Sequence, residues 1–520
     1  MKLRTLPDFN KNRALRRPTK IPVSLNIWVV LVATVILVGV RCGAGLAANF
    51  YVSQSGGSVS CGADGTQSTQ SVAWFNTAGN WANPKVSGMI GPGDTVNLCG
   101  TFSVPYNSNY LNIQGSGSSG NPITIRWESN AELTSPAAQN FILTDGNSYL
   151  VFDGNGTNPS MTNTADGTDL TYQLNTGGIS GSSCNYCEIK NLTMTNLFVH
   201  DPANDNSGGN QQLSVGVYLN GSNWSVHGCT FDQMSAGVMS PITSSGNTNN
   251  SVYNNTFNHF NWGVYYNPSG TSISTSNFSV YNNTFGNMAV WDSSADWYHH
   301  DGIFVVYTNG SGSITNTQIY NNIFNGTMSN CTPNSCATAW IYTNTSINGM
   351  YIFNNIAVNA GGSYIFEGGI SGDQNYYIYN NTLDAGGGST LNYSSVNGFV
   401  VENNIFMNLD SSPTYFNGLS NYTFDYNAYE NYNSGETHSL DLTAAQLNLN
   451  SSYQPQSGSS VIGKGLNLTS TAASLGITSL DSDYAGNPRP SSAAWDIGAY
   501  SADSVVLNAP TNLTVTNSSQ

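Results

Sequence analysis

Along most of this chain, apolar and polar positions alternate in short β-type runs, and one six-residue pattern keeps returning. It reads Val252-Tyr-Asn-Asn-Thr-Phe257, Val280-Tyr-Asn-Asn-Thr-Phe285, Ile319-Tyr-Asn-Asn-Ile-Phe324, Ile352-Phe-Asn-Asn-Ile-Ala357, Ile378-Tyr-Asn-Asn-Thr-Leu383 and Val401-Glu-Asn-Asn-Ile-Phe406. Degenerate copies begin at Ile189, Val226 and Phe424. Successive starts from Ile189 lie 37, 26, 28, 39, 33, 26, 23 and 23 residues apart. A β-type phrase recurring at this interval predicts a stack of repeats.

Each phrase reads as one rung. Residue 1 is always apolar, residue 2 mostly aromatic and residue 6 mostly Phe, which predicts residues 1 and 3 inward and residue 2 outward. Residue 4 predicts a column of Asn255, Asn283, Asn322, Asn355, Asn381, Asn404 and Asn427. Amides stacked about 4.8 Å apart can bond up the column and satisfy backbone groups at a bend. Rungs of irregular length around one fixed corner predict an all-β chain: a right-handed, single-stranded parallel β-helix with an asparagine ladder. Phe231, Phe257, Phe285 and Phe324 then form an inward aromatic stack.

Composition agrees. Only 8% of residues are charged, 54 of 520 are Gly and 29 are Tyr, so a helical domain is not expected. Such a length ordinarily suggests several domains, but a solenoid rung needs only its neighbours to bury its face.

Residues 1–48 read as a signal peptide. Arg13, Arg16, Arg17 and Lys20 precede an apolar run from Leu25 to Val40, then a small-residue cut at Ala48-Asn49. An uncleaved anchor is the alternative. Export to a secreted or cell-surface location follows, without membrane insertion once the leader is cut. Removing the leader leaves 5 basic against 28 acidic residues, a balance of −23. Such a surface is not expected to bind nucleic acid or anionic membranes, and it repels polyuronates unless a cation intervenes.

Cys61 with Cys99 and Cys331 with Cys336 are candidate disulfides in an oxidising compartment. Cys229 occupies the ladder position of its rung, which suits a buried thiol. Cys184 and Cys187, with His227 and Cys229, are the weaker alternative of a structural zinc site.

The chain divides into an N-terminal cap with first rungs at 49–120, the β-helix at 121–440 and a closing segment at 441–505. Residues 506–520 follow as a linker or the start of a truncated fibronectin-type module. The run from Ser71 to Trp81 has the serine start and apolar spacing of a short helix closing the lower end. With the opening Phe50-Tyr-Val-Ser-Gln-Ser-Gly-Gly57, the rungs, and the closing Asp481-Ser-Asp-Tyr-Ala-Gly-Asn-Pro-Arg489 and Trp495-Asp-Ile-Gly-Ala-Tyr500, the chain resembles secreted bacterial right-handed parallel β-helix proteins. These are the pectate-lyase-like superfamily in the broad sense. The resemblance implies the fold and leaves activity open, since that fold hosts many chemistries. Of the polygalacturonase motifs, only His300-Asp-Gly302 and Glu188-Ile-Lys190 are partial echoes. For the basic residue that pectate-lyase-type chemistry needs, Lys190 is the rung-borne candidate.

Aligning the rungs places a candidate site at one corner. The step from Phe231 to Gly237 or from Phe257 to Gly263 takes six residues, but that from Met194 to Gly216 takes 22 and that from Phe285 to Gly302 takes 17. These loops bring His200, Asp201, Asp292, Asp296, His299, His300 and Asp301 to the corner that Asp232 and His259 occupy on intervening rungs. Imidazoles beside carboxylates suit general acid–base catalysis. The candidate catalytic set is Asp301, His300, His299, His259, Asp232, His200 and Asp201. Asp292 and Asp296 are candidate metal ligands, with Ca2+ the candidate ion and no cofactor certain. Trp262, Trp291, Trp297 and Tyr298 offer flat faces to a sugar. The outward column of Phe152, Lys190, His227, Tyr253, Tyr281, Tyr320, Phe353, Tyr379, Glu402 and Asp425 reads either as a glycan platform (Lys190, Tyr253 and Tyr281) or as plain cross-rung stacking.

These features predict a monomeric extracellular polysaccharide-binding protein that degrades glycans as a lyase or glycoside hydrolase. A non-catalytic surface or adhesion β-helix is the alternative.

Overall fold

The computed structural model describes residues 46–155, 160–165, 167–199, 213–268, 272–288, 300–306, 312–328, 339–358, 364–386, 389–409 and 414–502. Residues 1–45, most of the segment expected to be a signal peptide, and the segment 506–520 lie outside these. No helix among the described residues is long and apolar enough to cross a membrane.

Each turn of the chain adds one strand to each of three parallel ladders, giving a right-handed parallel β-helix. The first ladder rises from Asn49–Ser53 through Asn247–Tyr253 and Ser313–Tyr320 to Ser420–Asp425. The short second ladder includes Thr193–Thr195, Thr284–Phe285 and Ala428–Glu430. The third includes Asn140–Leu143, Thr176–Gly181, Ser214–Leu219, Asp301–Val306, Ala339–Asn344 and Tyr364–Gly368. Two long strands, Thr230–Ile242 and Thr256–Pro268, run through both the second and the third.

The six-residue phrase spans the corner between the first and second ladders. Its residue 1 is an inward core position, with Val252, Val280, Ile319, Ile352, Ile378 and Val401 in vertical register. Residue 3 departs from the alternation expected for it. Asn254, Asn282, Asn321, Asn354, Asn380 and Asn403 take φ between 50 and 62°, so they make the corner instead of pointing into the core. Asn tolerates this left-handed conformation better than most residues with a Cβ.

Residue 4 forms the ladder. Asn283 Nδ2 donates to Asn322 Oδ1 above at 3.0 Å and to the Val252 carbonyl below at 2.9 Å. Its Oδ1 accepts from the backbone and side-chain N–H groups of Asn255, both at 3.0 Å. All four hydrogen-bonding positions of the amide are used, and the pattern repeats from Asn255 to Asn427. Cys229 starts the column by donating its N–H to Asn255 Oδ1, and Glu436 ends it by accepting from Asn427 Nδ2.

Residue 6 builds the inward ring stack. Phe231, Phe257, Phe285 and Phe324 succeed one another at 5.1, 4.9 and 4.7 Å. The stack needs a hollow across the core, which glycines supply: a Cβ on Gly237 or Gly263 would come within 2.5 Å of the ring above. Where Trp340 takes the glycine's register position, Ala357 replaces the next Phe, and volume is conserved.

The ends differ from each other. At the lower end, Ser55–Ser60 and Thr66–Ser71 form an antiparallel hairpin, and Ser71 Oγ caps the helix Val72–Phe75. The helix expected from Ser71 to Trp81 is one turn followed by the 3-10 turn Ala78–Asn80. The closing segment folds back along the side of the stack. Asn354, Asn380 and Asn403, the corner residues of three phrases, donate to the carbonyls of Ser482, Asp496 and Leu466. Arg489 is buried among these contacts, donating to Asn354 Oδ1 and to the Gly498 and Ala499 carbonyls. At the top, residues 431–439 meet the last rung over a cavity of about 500 Å³ lined by Phe416, Tyr422, Phe424, Tyr429 and Glu436 among others.

Cys61–Cys99 is a disulfide, as expected, and Cys331 and Cys336 lie outside the described residues. Cys184 and Cys187 are bonded to each other, which removes them from the zinc alternative. Cys229 is a buried thiol whose pKa burial pushes up to about 12.

Asn322→Leu is expected to lower stability by about 3 kcal/mol or more, because it strands two donors of Asn283 and the Val280 carbonyl. Denaturant melts would check this; a loss below about 1 kcal/mol would show that the ladder is dispensable.

Burial raises the carboxyl pKa of Glu402 to about 7, with Asp425 adding to the effect, and that of Asp373 to about 6. Folded-state values above the unfolded ones mean stability that is present at acid pH and lost as pH rises through about 6 to 7. Thermal melts of Glu402→Gln should show a shallower fall in Tm over that window; an unchanged slope contradicts the assignment.

Candidate active site

The outer face of the third ladder carries side chains that the core does not use. Its first outward column runs Val215, Ala236, Trp262, Asp301, Ala339 and Tyr364 on successive rungs. The second runs Tyr218, Met239, Tyr265, Phe304, Tyr342, Glu367 and Asn392. Trp262, Tyr265 and Phe304 pack into one apolar cluster with Val215, Ala236 and Val306. Trp262 and Tyr265 lie 4.9 Å apart at 38°, and Phe304 stacks under Tyr342 at 5.2 Å.

Asp301 stands in this surface, fully buried and in a column where Val215, Ala236 and Ala339 are apolar. Its Oδ1 accepts the Ala339 N–H at 3.3 Å. His300 beside it is also buried. Tyr342, one rung higher, has its phenol pKa raised by burial first, then by the negative charges of Glu367 and Asp301. Glu367 accepts from Asn392 Nδ2 at 2.8 Å. Register separates Glu367 from Asp301 by two rungs and three residues, on the order of 14 Å between Cα atoms.

At the corner leading into this face, His259 Nδ1 lies 2.7 Å from Asp232 Oδ1 and 2.9 Å from Asn258 Nδ2. Both members of the pair are partly exposed. His259 has φ 48°, as Gln233 below it has φ 58°, so the left-handed corner aims the ring outward. With Nδ1–H donating to Asp232, the Nε2 edge remains to exchange a proton. His259 is three residues from Trp262, the residue directly below Asp301, which places the pair roughly 10 Å from the carboxyl.

His200, Asp201, Asp292, Asp296, His299, Trp291, Trp297 and Tyr298 lie outside the described residues. No group of three or more His, Cys, Asp or Glu suited to a metal occurs among the described ones.

Lys190, Tyr253 and Tyr281 are on another face, the outside of the first ladder. Phe152 does not belong to their column: it pairs in register with Ile189 and is buried, and Asp153 takes the outward place below Lys190. Arg126 stands directly below Asp153, a second rung-borne cation. Lys190 and His227 share Glu188 at 3.3 and 2.9 Å. His227, Tyr253, Tyr281, Tyr320 and Phe353 stack at 4.5 to 4.8 Å with planes within 7°. The rings therefore spend their faces on one another and show edges and hydroxyls outward. Leu468, Ala472, Ile477 and Leu480 of the closing segment cover the upper rings.

Tyr342 and Glu367 escaped the sequence reading. Their signal was a second, shorter phrase, Gly216-Val-Tyr218, Gly237-Val-Met239, Gly263-Val-Tyr265, Gly302-Ile-Phe304 and Trp340-Ile-Tyr342, whose third residue always points outward.

Tyr281→Ala should cost about 0.5–1.5 kcal/mol for each stack it breaks and leave glycan affinity unchanged. Loss of affinity at unchanged stability in titration calorimetry would restore the platform reading.

No family model and no curated protein matches the chain. Solved structures with a similar path include pectate lyase Pel9A, at 16% identity over 89% of this chain and 98% of that one, TM-score 0.44. An alginate lyase from Paenibacillus sp. str. FPU-7 is 14% identical over 67% and 99%, TM-score 0.40. The GH136 lacto-N-biosidase from Eubacterium ramulus is 12% identical over 74% and 68%, TM-score 0.39. These are distant likenesses of path, and the three ladders of this chain show on their own that it is a right-handed parallel β-helix.

Proposed function

We propose that the protein is an extracellular polysaccharide-degrading enzyme whose active centre is Asp301 on the outer face of the third ladder. The placement of Asp301 carries the reading. A carboxyl there interrupts an apolar outward column, takes the Ala339 N–H and lies directly above Trp262. Asp301 would hold or take the proton at the scissile bond. His259, oriented by Asp232, is the second proton carrier at the edge of the same surface.

The positions of the cations bear on reaction type. Beyond the leader the chain has Lys85, Arg126, Lys190, Lys464 and Arg489. Lys85 pairs with Asp94, Arg126 and Lys190 lie on the first ladder, and Lys464 and Arg489 belong to the closing segment. None stands on the third-ladder face to neutralise a uronate. This favours hydrolysis of a neutral glycan over elimination from a uronate, unless Ca2+ supplies the charge, for which Asp292 and Asp296 remain the candidates.

Asp301→Asn keeps an oxygen for the Ala339 N–H, so Tm should barely move while release of reducing ends from a panel of neutral glycans falls at least about hundredfold. A parallel assay with chelator and a search for unsaturated products separates hydrolysis from metal-assisted elimination. Full activity in the variant would overturn the assignment of Asp301. Binding without cleavage by the unmodified protein would favour the adhesion reading.

A further inference from the structure

Below Asp301 on the same face, a cleft of about 310 Å³ is lined by Gln139, Asn140, Asn175, Thr176, Gly177, Ser180, Leu213, Val215 and Tyr218. Its floor belongs to three successive rungs of the third ladder, in the register Asn140, Gly177, Val215. Val215 lies three rungs below Asp301, so the cleft spans about 14 to 24 Å from the carboxyl along the stack. A pyranose unit is about as long as one rung is high. A glycan running along the face from Asp301 would thus enter the cleft with its fourth or fifth unit.

The lining has a definite chemistry. It contains amides, hydroxyls, two aliphatic side chains and one tyrosine, and no charged group. The polar groups are held in place: Asn140 Nδ2 donates to Asn109 Oδ1 at 2.7 Å, Ser180 Oγ donates to Asn140 Oδ1, and Asn175 Oδ1 accepts the Leu213 N–H at 2.7 Å. Space is kept by Gly177, where a Cβ would come within 2.2 Å of Asn140 Oδ1 and 2.3 Å of Ser180 Oγ. A preformed concavity with fixed amides and a half-buried Tyr218 suits an uncharged sugar, whose hydroxyls both donate and accept. An anionic sugar would find no counter-charge here and a balance of −23 around it.

We infer that this cleft is a distal subsite for a neutral sugar residue, which makes the substrate an uncharged polysaccharide bound along the solenoid axis. The inference rests on the reading of Asp301 for its length scale but not for its measurement, which is affinity. Titration calorimetry would use the intact protein and the Asp301→Asn variant with cello-, xylo- and manno-oligosaccharides from disaccharide to heptasaccharide, and oligogalacturonates for comparison. For at least one neutral series, affinity should step up between tetrasaccharide and hexasaccharide. Tyr218→Ala should remove that step, an affinity loss of about tenfold, the size of one lost aromatic contact. Gly177→Ala, with Tm measured alongside, should do the same by moving Asn140 and Ser180.

Affinity independent of chain length, a step that survives both variants, or tighter binding of oligogalacturonate would overturn the subsite. Persistent cleavage by Asp301→Asn alongside the step in affinity would instead overturn the catalytic assignment alone.

Discussion

The vertical hydrogen bond between identical asparagines governs this structure. A parallel β-helix must turn a corner on every rung, and the corner interrupts the backbone ladder where its N–H groups and carbonyls are already out of contact with water. From Asn255 to Asn427 the residue-4 amide answers this in one unit, by accepting from the rung below, donating to the rung above and closing on a carbonyl. Each amide works only if the next one is present, so loop insertions are confined to other corners. The two swollen loops that lead to Ser214 and to Asp301 both enter at the far end of the second ladder.

Steric complementarity does the remaining work inside. Phe rings stacked at 4.7 to 5.1 Å fill more of the section than a uniform aliphatic core would, and the glycine column opposite makes room for them. The exchange of Gly and Phe for Trp340 and Ala357 shows that the sum is held while the parts vary. A second amide column forms on the outside, where Asn249 donates to Asn223, Asn277 to Asn249 and Asn316 to Asn277 at 2.7 to 3.0 Å. Amides that bond to copies of themselves let a chain with 8% charged residues keep its exposed corners ordered without ion pairs.

Function has to be found in what the stack does not need. The first-ladder aromatics satisfy one another face to face, and the closing segment covers their upper members. The third-ladder face differs: Tyr265 is turned against Trp262 and Phe304, a carboxyl is buried beside them, and an uncharged cleft lies below. The five Lys and Arg residues beyond position 48 all lie elsewhere. That division of charge is a stronger guide to substrate than the fold, which is compatible with many reactions.

How much was legible in the sequence follows from periodicity. The phrase ending in two asparagines and Phe determined the rungs, the ladder from Asn255 to Asn427 and the inward Phe stack, because each depends on a pattern of fixed local spacing. The alignment of Asp301 above Trp262, Ala236 and Val215 was legible for the same reason. The left-handed corner was not: Asn254 and Asn255 are the same amino acid with opposite environments, and only backbone geometry tells them apart. Phe152 was misplaced because its rung lacks the double asparagine that sets the register. The direction of the Tyr253 and Tyr281 ring planes, the path of the closing segment over Asn354, Asn380 and Asn403, and the placing of Tyr342 between the charges of Asp301 and Glu367 were decided by tertiary structure alone. They depend on ring orientation and on contacts between segments far apart in sequence, which a repeat of fixed local spacing does not encode.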